Sequence, residues 1–199
     1  MSHFTRVELE IRDRESLIHA LMDMGYKDIR GRGRVRGYQG AEEIADLVVF
    51  QDHGYDIGVV DRGDHMEIVA DWIGVEGGED AFMGRLRQAY AERVIQKTLR
   101  KRGNRVTERR TLPNGDIVLK VRIPEEAEFV LPREGEVSVE GLGFEGEQCV
   151  DATTPFEAAL GKVQGERELK PEFAGQDAPS SSAASRRRRK EERIQLDRS

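Results

Sequence analysis

Between Ala81 and Arg102 the apolar residues Phe82, Leu86, Tyr90 and Val94 return at every fourth position, and Ile95 and Leu99 carry the stripe onward. An amphipathic helix of that length buries one face along its whole run. It needs a broad apolar surface opposite, and the rest of the chain must supply that surface in short pieces. Lys97, Arg100, Lys101 and Arg102 gather where cations complement a helix dipole, and Gly103 stands where the helix can end.

The short pieces read as strands. "FTRVELEIRD" alternates, with Val7, Leu9 and Ile11 on one side and Glu8, Glu10 and Arg12 on the other. Asp13 can then cap a helix whose apolar face is Leu17, Ile18, Leu21 and Met24, with Gly25 at its left-handed end. "ADLVVFQ", "DIGVVDRG" and "HMEIVADWIGV" predict a three-stranded meander that turns at "DHGY" and "DRGD". "RVTERRTLPNGDIVLKVRI" predicts two strands around Asn114-Gly115, a strong hairpin signal. Repeated strand–helix–strand units are missing, which disfavours a Rossmann-type arrangement. The fold class is α+β: an antiparallel sheet of about six strands with two helices, built from residues 1–123.

A small ββα unit is expected over residues 124–173. "AEFVLPREGEVSVEGLGF" reads as a hairpin turning at Arg133 to Gly135. "TPFE" matches a capping box, with Thr154 as N-cap, Pro155 at the first helical position and Glu157 at the third. Phe156, Ala159 and Leu160 supply apolar contacts before Gly161. A unit of ~45 residues is too small to bury a good core alone, so it is expected to dock on the first unit or on another protein. From residue 174 to 199 the composition, serine, alanine and charge with the run "RRRRK", predicts a disordered basic tail.

The chain has 199 residues and a net charge of -6. Residues 174–199 hold seven Lys/Arg against four Asp/Glu, so the remainder is strongly acidic. An acidic body argues against general nucleic-acid binding, which needs a basic face. The start, "MSHFTRVELEIRDRE", has no apolar signal segment, and no stretch approaches the ~18 apolar residues of a membrane span. The expectation is a cytoplasmic protein with a protein partner, no membrane contact and no cofactor.

Two stretches carry candidate chemistry. "GLGFEGEQCVDATTPFEAALG" holds the single cysteine, Cys149. Near a helix N-terminus its thiolate would be favoured, but Glu145, Glu147 and Asp151 oppose ionisation and no resolving cysteine exists. A small buried apolar plug is the competing reading, and the one this pattern favours. In "IRGRGRVRGYQG", Arg30, Arg32, Arg34 and Arg36 alternate with Gly or Val and Tyr38 follows. On one strand that alternation would put four guanidinium groups on one side, a face for phosphate, RNA or an acidic partner. A solvated loop or a charge-protected edge strand is the competing reading, and the one an Arg-rich run favours. His53 and His65, in "QDHGYD" and "DRGDHME", would stand at opposite ends of a strand about 17 Å long, too far apart to share a metal ion.

"MSHFT", the strand–helix followed by "MGY", and "ADLVVFQDHGYDIGVV" together resemble a family of small uncharacterised proteins encoded on plastid and cyanobacterial genomes as a hypothetical chloroplast reading frame. The resemblance covers residues 1–123. Residues 127–165, through Gly143, Gly146, Cys149, Thr153, Leu160 and Gly161, resemble a second small family of unknown function. The resemblance implies modules that work together, in genomes beside ferredoxin-like or AAA-type ATPase genes. The function expected is a non-enzymatic protein-interaction or adaptor module, with an AAA-type ATPase or an electron carrier as partner. The alternatives are a thiol-dependent redox or metal-sharing protein using Cys149, and an RNA-binding protein using Arg30 to Arg36.

Overall fold

The computed structural model describes residues 3–40, 42–53, 55–123, 125–144 and 148–169. The disordered tail expected at 174–199 lies outside them. β1 (His3–Leu9) leads into α1 (Arg14–Asp23). The Asp13 carboxylate accepts from the Ser16 amide at 3.1 Å, and Gly25 adopts φ 97° beyond the helix end. Then come β2 (Ile29–Arg30), β3 (Gly33–Arg36), β4 (Glu42–Ala45), β5 (Leu47–Val49), β6 (Ile57–Asp61) and β7 (Met66–Ala70). The long helix α2 spans Gly78–Lys101. β8 (Val106–Thr111) and β9 (Ile117–Arg122) flank a turn with Gly115 at φ 88°, a conformation that favours glycine. β10 (Glu126–Leu131), β11 (Val137–Leu142), α3 (Gln148–Leu160) and β12 (Gly161–Leu169) complete the order.

The class is α+β and the pairing antiparallel, as expected, but the strands are shared out differently. β12-β1-β11-β10-β9-β8 form a six-stranded sheet, β2-β5-β6-β7 a four-stranded sheet, and β3-β4 a separate ribbon. The large sheet thus draws half its strands from each side of residue 124. The expected meander, β5 to β7, stands in its own sheet with β2 added. Turn chemistry selects the partner within a hairpin; it does not select which hairpins lie side by side. β1 is the clearest case: it lies between β11 and β12, both from the far end of the chain. No strand was expected at β12, where "GKVQGEREL" lacks a clear apolar alternation.

This topology answers the size problem of the second segment. Leu17, Phe82, Leu86, Tyr90, Leu119, Phe129, Val139 and Phe156, all fully buried, belong to one apolar cluster. Phe129 faces Leu119 across one strand pair and Val139 across the other, and its ring tilts against Phe156 at 5.2 Å. Gln88 of α2 donates to Gly115 O at 3.0 Å and Leu131 O at 2.9 Å, so one amide secures two hairpin ends. The Tyr90 hydroxyl, deep in the core, accepts from the Arg12 and Asp13 amides at 2.9 Å each.

α3 starts earlier than expected. It begins at Gln148, and Pro155 is interior rather than at the first helical position. A proline there removes one amide donor from the helix ladder. Neighbouring hydroxyls add bonds in the same stretch: Thr153 Oγ1 donates to Cys149 O at 3.1 Å and Thr154 Oγ1 to Val150 O at 2.7 Å. The helix persists because Cys149, Ala152, Thr153, Phe156 and Leu160 bury one continuous face. "TPFE" therefore reads as a start signal that tertiary packing overrides.

Candidate functional site

The ribbon β3–β4 lies on the small sheet because of one glycine. A Cβ on Gly58 of β6 would come within 2.6 Å of Val35 Cγ2, 2.7 Å of Val69 Cγ2 and 2.9 Å of Ala45 Cβ. Without it, Val35 and Ala45 pack with Val48 into a second, smaller apolar cluster. The ribbon is then fastened by two aspartates.

Asp56 is fully buried. It accepts from the Arg36 amide at 3.1 Å, from Arg36 Nε at 2.7 Å and Nη2 at 2.8 Å, and from the Gln51 amide at 3.0 Å. Burial alone would raise its pKa; the Arg36 guanidinium and the two amides outweigh that and hold it below the ordinary aspartate value. Asp71 fastens the other end. Its carboxylate accepts from the Tyr38 amide at 2.8 Å and the Ile73 amide at 3.3 Å. That joins the ribbon tip to the short 3-10 turn Trp72–Gly74. Trp72 tilts onto Phe82 of α2 at 5.6 Å, anchoring the turn to the core.

This frame holds large apolar side chains in water. Tyr38 is 53% exposed, Ile44 52% and Ile73 84%. Ile44 stands opposite Arg34 in the ribbon register, on its outward side. A recess of about 220 Å³ lies alongside, floored by Val35, Val69 and Ala70 and rimmed by Glu43 and Asp71.

The four arginines are not on one strand. The chain bends at Gly31–Arg32, so Arg30 belongs to the four-stranded sheet while Arg34 and Arg36 belong to the ribbon. Three of them already meet carboxylates. Arg30 pairs side-on with Asp28 at 2.7 Å and lies over the Phe50 ring at 4.9 Å; Arg34 meets Glu42 at 2.9 Å; Arg36 meets Asp56. Arg32 is exposed in the bend, with no carboxylate partner among the described residues.

Cys149 lies in the first turn of α3, inside the main core and fully buried. Gly141 lets it approach β11: a Cβ there would sit 3.3 Å from both Cys149 Cβ and Phe144 Cδ2. His53 Nδ1 accepts from the Tyr55 amide, and His65 Nδ1 lies 2.7 Å from Asp64, on separate turns. Among the described residues no group of three His, Cys, Asp or Glu side chains is placed to hold a metal ion. No helix among them is long and apolar enough to cross a membrane.

The sequence reading singled out Tyr38 but passed over Ile44, Ile73 and both anchoring aspartates. Asp71 carried a usable signal, since Asp before "WIG" is the composition of a capped short turn. Ile73 carried none, because an apolar residue in a strand-like run reads as core.

The profile of a family described as a protein of unknown function (DUF1257) matches residues 20–120. That of a second, also described as a protein of unknown function (DUF2997), matches residues 128–174. "Uncharacterized protein ycf35" of Guillardia theta is 30% identical over 125 residues, covering 61% of this chain and 97% of that protein. The protein of the same description from Cyanophora paradoxa is 30% identical over 97 residues, covering 48% of this chain and 76% of that one. The one from Pyropia yezoensis is 27% identical over 124 residues, covering 61% and 97%. No solved structure matches the chain significantly.

Proposed function

Since the chain belongs to the DUF1257 family, with a DUF2997 segment built into the same sheet, we propose that it acts without chemistry of its own, as a protein-interaction module. The observation that carries this reading is the exposure of Tyr38, Ile44 and Ile73 on a ribbon and turn that Asp56 and Asp71 fasten in place. Large apolar side chains kept in water at an ordered surface mark interaction sites, and aromatic anchors dominate their energetics. The arginines around them favour a protein over RNA, because three of four are already neutralised in place. Phosphate binding would have to compete with those carboxylates. Burial of Cys149 argues in the same direction, away from thiol chemistry. The partner classes that the family resemblance implies are an AAA-type ATPase and an electron carrier.

The test is crosslinking mass spectrometry of the natively expressed protein beside the variant Y38A/I44S/I73S. The expected result is a stoichiometric partner whose crosslinks include Lys27, close in sequence to the ribbon, and whose affinity falls about 100-fold or more in the variant. Its melting temperature should stay within a few degrees, since these side chains leave little apolar contact behind. An undiminished partner in the variant, or none with the natural chain, contradicts the proposal.

A further inference from the structure

Beyond the ribbon, one side-chain atom stands out. Among the described residues, Arg85 Nε is the buried side-chain nitrogen without a hydrogen-bond partner. Buried donors in native structures are almost always paired, so an orphan on a charged group calls for a physical reason. Arg85 also stands between two clefts of about 520 Å³ each. One runs along α2 past Asp23, Gln88, Glu92 and Arg109; the other lies between α2 and the β10–β11 turn, against Gly84 and Arg133.

Three other arginines, each partly open to water, show how this edge is used when a carboxylate is present. Arg30, Arg36 and Arg93 each offer Nε and Nη2 side-on to an aspartate: Asp28, Asp56 and Asp23. Arg85 has the same edge and no carboxylate on it. Its Nη2 reaches only the Glu76 carbonyl, at 3.4 Å, a contact weak enough to exchange. Arg133 is exposed in the second cleft and forms no ion pair or hydrogen bond with a described residue. Gly84 lets the Arg133 backbone approach α2, a Cβ there lying 3.1 Å from Arg133 O, while the Arg133 head rests against the Gly115 turn, where a Cβ would lie 3.1 Å from its Nε. Tyr26 senses the same charge; burial pushes its phenol up, with Arg85 opposing and Glu76 reinforcing the rise. Glu76, Asp80 and Glu134 also line the second cleft, but none pairs with either guanidinium.

We propose that Arg85, supported by Arg133, is a binding site for a carboxylate ligand. The carboxylate takes the vacant side-on edge after a turn of the Arg85 head away from Glu76 O. The group is carried either by a small dicarboxylate or by an acidic side chain of a docked polypeptide. The site is independent of the ribbon surface.

The experiment follows the Arg85 Nε–Hε resonance of the full-length chain by NMR. The probes are glutarate, a terminally blocked tri-glutamate peptide and inorganic phosphate. A saturable shift is expected with at least one carboxylate probe, at least tenfold tighter than with phosphate. Response to glutarate alone identifies a small ligand, and response to the peptide alone a protein side chain. R85K keeps the charge but loses the two-pronged edge, so calorimetric affinity should fall at least tenfold. R133A should weaken it less, and Y38A/I44S/I73S not at all. R85K must also melt like the natural chain, which separates lost binding from lost fold. Absence of a saturable shift with both carboxylate probes, equal affinity for phosphate, or unchanged affinity in R85K overturns the proposal.

Discussion

Replacing Phe129 with alanine is expected to cost about 3–5 kcal/mol, the range for removing a fully buried aromatic side chain. The reason is its position. Phe129 is fully buried on β10 in the second segment, with Leu119 of the first segment opposite it on β9, Val139 on β11 and the Phe156 ring above. The cavity would open between elements from both sides of residue 124, which cannot close without moving the sheet against α3. For a chain of this size the melting temperature should fall by about 6–20 °C. The chain's single tryptophan, Trp72, supplies a reporter in the first segment, since it packs on Phe82 of α2. Urea unfolding of F129A followed by Trp72 fluorescence and by far-ultraviolet circular dichroism should show both transitions shifted together. A loss under 1 kcal/mol, or a shift seen by only one probe, would refute the shared core.

The second large effect is expected at Asp56. D56A should lose roughly 2–3 kcal/mol, because it orphans the Arg36 and Gln51 amides and takes the partner from the Arg36 head. The loss stays at or below the bottom of the ~3–5 kcal/mol range for a fully buried pair, since Arg36 remains 47% exposed and can turn to water. The pH dependence has a definite sign. The folded pKa of Asp56 lies below its ordinary value of 3.8, so its contribution is fully present above that pH and lost as pH falls through the folded value. The stability gap between the natural chain and D56A should therefore be widest near neutrality and narrow in acid. A gap that is flat or widens in acid, measured by urea titration at each pH, would exclude this role.

What could be read from the residues was local. α1 was legible because an acidic cap, an apolar face and a terminal glycine fall at the right offsets, and the β8–β9 hairpin because Asn114-Gly115 demands its turn. α2 was legible from its period alone. The long-range choices were not. Nothing near β1 announces that β11 and β12 will flank it, since strand partners are selected by how whole faces fit. The arginine run looked like one strand because its alternation is regular; a carboxylate at Asp56, distant in sequence, and a bend at Gly31–Arg32 divided it. Pro155 looked like a helix start because proline favours that position, yet burial from Cys149 to Leu160 carried the helix through it. Ile73 was silent because exposure is a property of the neighbours, and Arg85 because a missing partner leaves no mark in a sequence.

The joining of the two family segments into one structural unit is tested most directly by native-state hydrogen exchange on the full-length chain. Amides of β6, in the small sheet of the first segment, and of β10, in the second, should exchange through the same global opening, with equal free energies and equal response to urea. Slow exchange in β6 alongside markedly faster exchange, at lower opening free energy, throughout β10 and β11 would show two units that merely touch, and would contradict the shared core.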